Sequence, residues 1–431
     1  MSVQDWSSLE KLVKGEDFGA KLKELYGDSA AENVGRYAHL LELYRENFGP
    51  AAPEGLAFFS APGRTEIGGN HTDHQHGRVL AASVDMDTIA AAAPAEDGWV
   101  RVLSEGYPIC EFELTDLSIH DEEKNSTAAL IRGVLAGFEQ RGCKVGAFKA
   151  AVTSSVLPGS GISSSAAFEI LIGNIVNTFF HEGRADAVEI AQIGQYAENA
   201  YFGKPSGLMD QTASSVGNIL TIDFEDPAHP VVRKLDVDFD ACGYRLCIVD
   251  CGADHADLTD EYAAIPVEMK AVAAELGCSV LRETSKENVL AWLSKLREKL
   301  GDRAVLRALH FFGDNERVKE QAEALEKGDF ARFLELVTES GRSSWMYLQN
   351  IVPCGANRHQ EMAVALALCE ELLGGEGAFR VHGGGFAGTV QAFVPEDKLE
   401  EFRSGMEKAL GQGCCHVLRI RPVGGTCVYR S

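Results

Sequence analysis

Residues 156–169 read VLPGSGISSSAAFE. The stretch follows FKAAVTSSV (148–156), whose apolar run suits a buried strand, and leads into an apolar helix over 166–180 with Ala167, Ile170, Leu171 and Ile175 on one face. A strand, a glycine-rich loop and a helix in that order make an anion cradle. Glycines let backbone amides converge on a phosphate, and the positive end of the helix adds to the field. Serine hydroxyls in the first turn offer oxygen ligands to magnesium, which keeps company with phosphate and water. The same residues also suit an ordinary helix N-cap, so the loop by itself leaves both readings open. The pattern G-x-x-x-x-G-K-[ST] occurs nowhere in the chain, which excludes a P-loop.

Three other stretches share this concentration of glycine and polar residues. Upstream, residues 61–77 read APGRTEIGGNHTDHQHG, with Arg64, Asp73 and three histidines among turn formers. By composition this is either a metal cluster or a polar clamp; Gly68, Gly69 and Gly77 argue for a loop rather than a helix that would align His71 with His74. Downstream, AENAYFGKPSGLMDQTASSVGN (197–218) places Glu198 near the end of one helix and Asp210 beyond a Gly-Lys-Pro-Ser-Gly turn. That turn brings the loop back toward the helix, so that one acid can hold a cation while the other faces a hydroxyl. Finally RVHGGGFAGT (380–389) follows a strand with three consecutive glycines, costly in backbone entropy unless something packs closely against them.

The bulk numbers narrow the class. The chain has 431 residues, enough for two domains, and 40 Lys+Arg against 64 Asp+Glu give a formal charge of −24. That charge opposes binding to nucleic acid or an anionic membrane. The N-terminal residues lack a basic start followed by an apolar run, and no stretch approaches the ~18 apolar residues of a membrane span, so a cytoplasmic location is expected. Eleven cysteines without a C-x-x-C pair read as reduced, mostly buried thiols. Residues 1–50 are charged and helix-prone, with Leu40, Leu41, Tyr44 and Phe48 at helical spacing. Short apolar runs and helices then alternate over 51–230, and the acidic, proline-containing 223–230 precedes a second unit over 231–431. The fold class is α+β in both halves.

Taken together, the four stretches resemble the galactokinase branch of the GHMP small-molecule kinases. GRTEIGGNHTDH resembles the signature G-R-x-N-[LI]-I-G-[DE]-H-x-D-Y; LPGSGISSSA resembles P-x-G-x-G-L-S-S-S-A; the AEN…GLMDQ block resembles A-E-H…G-x-M-D-Q; HGGGFAG resembles T-G-G-G-F-G-G. The block LTDEYAAIPVEM (258–269) resembles the family's S-E-Y segment. The resemblance implies a ribosomal protein S5 domain 2-like N-terminal domain, a ferredoxin-like C-terminal domain and an active site between them. It also implies phosphorylation of the anomeric hydroxyl of galactose by ATP with Mg2+, galacturonate or a noncatalytic galactose sensor being the alternatives, and a monomer is favoured. By matched position, Asp210 is the acid at the attacking hydroxyl and Arg64 the arginine beside it. Glu198 and Ser165 match magnesium ligands, and Gly159, Ser160, Gly161, Ser163, Ser164 and Gly384 belong to the loops around nucleotide and substrate. Asn70, His71, Asp73 and Tyr262 match sugar contacts. Asn70 stands where the family has Asp or Glu, His74 where it has Tyr, Glu66 where it has Asn and Gly68 where it has Ile.

Overall fold

The structure is a computed structural model that describes residues 5–49, 51–156, 161–204, 206–252, 258–386 and 388–430; the expected loop residues Gly159 and Ser160 lie outside them. Twelve strands are described: β1 (Ala57–Gly68), β2 (Arg78–Pro94), β3 (Trp99–Ser104), β4 (Cys110–Glu113), β5 (Phe148–Ser154), β6 (Ile219–Asp223), β7 (Val231–Leu235), β8 (Tyr244–Asp250), β9 (Ala378–His382), β10 (Thr389–Pro395), β11 (Cys415–Leu418) and β12 (Thr426–Arg430). Eight form one sheet, in the order β12-β1-β2-β5-β3-β4, with β6 on the other half of β2 and β7 beside β6. Four form a second sheet, β11-β8-β10-β9. With helices packed on these sheets, the fold is α+β.

The segments RVLAASV and TIAAAAP, which suggest two strands by sequence, form the single 17-residue β2. No glycine or proline separates them, and both faces of the strand are covered, so both sets of alternate residues are buried. Val79, Ala81, Ala90 and Ala92 enter one core, whereas Ile89, Ala91 and Ala93 enter another. The first core is closed by helices Thr127–Gln140, Ser164–Phe180 and Ala187–Tyr196. Over the opposite face lie the N-terminal helices, Trp6–Val13, Glu16–Tyr26 and Ala30–Phe48, through Phe18, Leu22, Tyr37, Leu40 and Tyr44.

Those helices are also fixed by charge. The fully buried Asp87 of β2 receives Arg36 Nη1 at 2.7 Å, Arg421 Nη1 at 3.0 Å, and the hydroxyls of Tyr26 and Ser60. A buried carboxylate without such partners is costly, so the extension is bound to the sheet by more than its apolar face.

The second sheet packs one face, with Leu246, Ile248 and Phe393, against the first sheet and the helices Asp302–Glu326 and Phe330–Ser343. Its other face, with Cys247, Val249, Val390 and Ala392, is covered by Glu361–Leu373 and Leu399–Leu410. The helix Asp302–Glu326 runs for 25 residues, with Ala304, Val305, Ala308 and Phe311 buried in its N-terminal half and Val318, Ala322 and Leu325 in its C-terminal half. The last strand, β12, leaves the second half and pairs antiparallel with β1.

Candidate active site

Arg64 owes its direction to an irregularity. The β1–β2 register shifts between Pro62 and Arg64 and again between Glu66 and Gly68, and such bulges re-aim side chains at the end of a sheet. Arg64 N donates to Ile162 O at 3.0 Å, holding the strand against the loop that enters helix Ser164–Phe180. Close approach is a requirement there: a Cβ on Gly161 would lie 2.5 Å from Thr389 Oγ1 and 3.1 Å from His382 Nδ1. The serine loop and the glycine-rich end of β9 therefore meet, as their compositions implied.

Two acids organise the centre. Asp210, in the first turn of helix Met209–Val216, accepts Arg64 Nε on Oδ1 and Arg64 Nη2 on Oδ2, both at 2.6 Å, and Ser163 Oγ on Oδ2 at 2.7 Å. Ser163 reaches it from a left-handed backbone (φ 62°), uncommon for a residue with a Cβ and typical of functional turns. Glu198 sits in the π turn Ala197–Phe202 and is buried. Its Oε1 accepts Ser165 Oγ at 3.1 Å and Lys204 Nζ at 3.2 Å; its Oε2 accepts Ser206 Oγ at 2.6 Å and Gln211 Nε2 at 2.9 Å. The serine run thus divides its work, with Ser163 on one acid and Ser165 on the other. Ser164 lies between them, half-buried.

Burial raises the Asp210 pKa, but the charge and hydrogen bonds of Arg64 and the Ser163 hydroxyl outweigh it and hold the carboxyl below the usual carboxylate range. In Arg64→Met burial is opposed only by the Ser163 hydroxyl and the smaller Lys204 charge, so the acid limb of a kcat/KM profile over about pH 4 to 8 is expected to move to higher pH. A limb that stays in place would show that Arg64 does not set the ionisation of Asp210.

The clamp loop closes on the same centre. A Cβ on Gly207 would come within 2.3 Å of Asp73 Oδ2, so Asp73 lies against the segment leading to Asp210. His71 Nε2–H donates to Gly384 O at 2.9 Å, and Tyr262 Oη–H donates to Gly385 O at 2.6 Å, which puts both side chains on the glycine patch. Burial, with His74 beside it, pushes the His71 pKa down to about 4, so the ring is neutral near pH 7. Burial pushes Tyr262 up to about 12.

Asn70 is not brought to an open site. Its amide donates to Glu66 Oε1 at 3.0 Å and to Gly383 O at 2.7 Å, and its Oδ1 accepts Ser344 Oγ at 3.2 Å and Asn350 Nδ2 at 2.8 Å. Two donors and two acceptor positions are all used, and the residue is fully buried. It belongs to a polar seam between β1 and the second sheet that sequence reasoning did not anticipate. There Arg380 Nη2 pairs with Glu66 Oε1 at 2.6 Å and Nη1 with Ile67 O at 2.8 Å. His382 accepts Glu66 N on Nε2 at 3.3 Å and donates Nδ1–H to Thr389 Oγ1 at 2.9 Å; burial and the Arg64 charge hold its pKa well below the usual value. Gln211, immediately after Asp210, also went unremarked although it bridges Glu198 to the buried Glu169. Adjacency to the acid was the one available signal.

The donors offered are oxygen-based. Among the described residues no group of three or more His, Cys, Asp or Glu is arranged to hold a metal ion, and His71, His74 and His76 with Asp73 make no such cluster. One buried carboxylate with a serine hydroxyl on the same oxygen fits a magnesium ion that takes its remaining ligands from phosphates and water.

Comparison with known proteins places this arrangement. Residues 129–218 match the model described as the GHMP kinases N-terminal domain, and residues 42–94 match the galactokinase galactose-binding signature. A mevalonate kinase from Methanococcus jannaschii has the same fold (TM-score 0.60, 14% identity, 84% of this chain and 98% of that one). The chain has the GHMP kinase fold. Lactococcus lactis galactokinase, solved with galactose, is more similar, with a TM-score of 0.78 and 25% identity over 91% of this chain and 100% of that one. The chain resembles the galactokinase branch of the GHMP kinases in both family models and in this neighbour, which supports a phosphotransferase of the sugar kinase type.

Proposed function

We propose that the protein transfers the γ-phosphoryl group of ATP, with Mg2+, to the anomeric hydroxyl of galactose or a closely related sugar. The observation that carries this reading is the pairing of two differently held acids on one serine run: Asp210 with Arg64 and Ser163, Glu198 with Ser165. Residues 51–230 and 231–431 form the two lobes in this reading, with β12 returned to the first sheet and residues 1–50 as a covering extension.

Asp210 orients the attacking hydroxyl and accepts its proton. Because its pKa is depressed, it accepts that proton late, as suits a loose phosphoryl-transfer transition state in which little bond to the nucleophile has formed. Arg64 holds Asp210 in place and sets positive charge beside the oxygens on which negative charge develops. Asp73 and the neutral His71 grip ring hydroxyls, and Tyr262 lies across the glycine patch from them. Ser165 and Glu198 hold the magnesium ion, which when bound neutralises charge on the phosphate oxygens. Gly161, Ser164 and Gly384 line the nucleotide side.

The resemblance puts an Asp or Glu that contacts the sixth-carbon hydroxyl of the sugar at position 70; with Asn there, and committed to the seam, no carboxylate repels a uronic acid, which is why one belongs in the test. A panel of free hexoses, N-acetylhexosamines and uronic acids with ATP and Mg2+, scored by sugar-dependent ADP release, is expected to give the highest kcat/KM with galactose. A preference for galacturonate would replace the substrate and keep the chemistry. Binding of galactose without ADP release would make the protein a sensor and end the kinase reading.

A further inference from the structure

Lys204, the charged residue of the Gly-Lys-Pro-Ser-Gly turn, has no task in the proposed chemistry. Its backbone N–H and that of Gly203 both donate to Glu198 O, at 3.1 and 3.0 Å, so the turn folds back over the acid it follows. Its ammonium then lies 3.2 Å from Glu198 Oε1, the oxygen that also receives Ser165 Oγ. The two partners differ in exposure: the lysine side chain is 60% exposed and the glutamate 3%. Each oxygen of Glu198 has two donors, but of the four only the Lys204 ammonium on Oε1 belongs to an exposed, mobile side chain, so Oε1 is the oxygen most easily given to a metal ion.

We infer that Lys204 is the resident counter-ion of the divalent-cation site, exchanged for the metal when nucleotide binds and passed to the phosphate chain. The inference rests on the reading of Glu198 and Ser165 as the magnesium ligands. A buried carboxylate is costly without a positive partner, and an exposed lysine on a flexible four-carbon stem supplies one that is easily withdrawn. A metal ion on Oε1 and an ammonium at the same oxygen exclude each other by charge. Once displaced, the ammonium has the reach to follow the incoming phosphate oxygens, where an anion needs it more than Glu198 does.

The test is a pair of binding measurements on the full chain, without sugar and without turnover. Mn2+ binding to nucleotide-free protein is followed by electron paramagnetic resonance, and ATP binding in excess EDTA by calorimetry, for the parent, Lys204→Met and Lys204→Arg. In Lys204→Met, Mn2+ affinity is expected to rise about two- to fivefold, the range set by an exposed ion pair, while metal-free ATP affinity falls by a similar factor. Lys204→Arg keeps both near the parent values. Opposite signs are the signature, because a lysine that only propped the loop would weaken both ligands together. That joint fall, or unchanged Mn2+ affinity, overturns the exchange. Tighter Mn2+ with unchanged ATP overturns the passage to phosphate. If the parent binds neither ligand, the kinase reading falls and takes this inference with it; if both bind with the expected signs but no sugar is phosphorylated, only the sugar reading fails.

Discussion

Asp210→Asn is expected to lower kcat by about 10²- to 10⁴-fold, the usual contribution of a positioned base, with a much smaller change in the KM for sugar. The substitution keeps the side chain's size and one oxygen. It removes the charge that orients Arg64, and it replaces a proton acceptor with an amide that cannot take the proton of a sugar hydroxyl. Arg64 is left buried with Gly161 O as a remaining partner, so some loss of stability accompanies the loss of turnover. Initial rates at saturating ATP, with a melting curve to confirm that the variant is folded, separate the two effects. A folded variant that retains more than about a third of the parent kcat would remove Asp210 from the chemistry.

Arg380→Met is expected to destabilise the protein by about 3–5 kcal/mol, the range for breaking a buried ion pair by removing one partner. Arg380 is fully buried and its partner Glu66 nearly so, and the bond joins β9 of the second sheet to β1 of the first. Removal leaves Glu66 with only the Asn70 amide. Burial already raises the Glu66 pKa against the pull of Arg380, and without that charge it rises further. A carboxyl whose folded pKa is raised favours the folded state at low pH, and this contribution is lost as pH rises through the folded value. The variant's deficit should therefore be largest at neutral pH and shrink toward pH 4.5, the ordinary Glu value. Denaturant unfolding at two pH values tests this, and Glu66→Gln combined with Arg380→Met should restore much of the loss. A single-variant cost below about 1 kcal/mol would show that the pair does not hold the sheets together.

Local order accounts for what the sequence disclosed. The helix Ala30–Phe48 follows from the spacing of Leu40, Leu41, Tyr44 and Phe48, and the serine loop announces its strand and helix. The four motifs do converge, because each carries its own turn residues. What remained hidden depends on partners hundreds of positions apart. Nothing near Glu66 or Asn70 in the chain points to Arg380, Ser344 or Asn350. A substitution in the clamp motif therefore reads as a change of substrate, whereas its side chain is spent on the seam. Lys204 was missed for another reason: a lysine between glycine and proline looks like a solvated turn until the backbone folds it onto Glu198.

The pairing of β12 with β1 sets the order in which the protein can be completed. β1 carries Arg64 and Glu66, yet one of its edges stays open until residues 426–430 have left the ribosome. An unpaired edge invites pairing with other chains, and here it belongs to the strand that carries Arg64. Losing only those few residues would thus expose the edge of β1 at residues 57–60, which makes the far end of the second half a requirement for finishing the first.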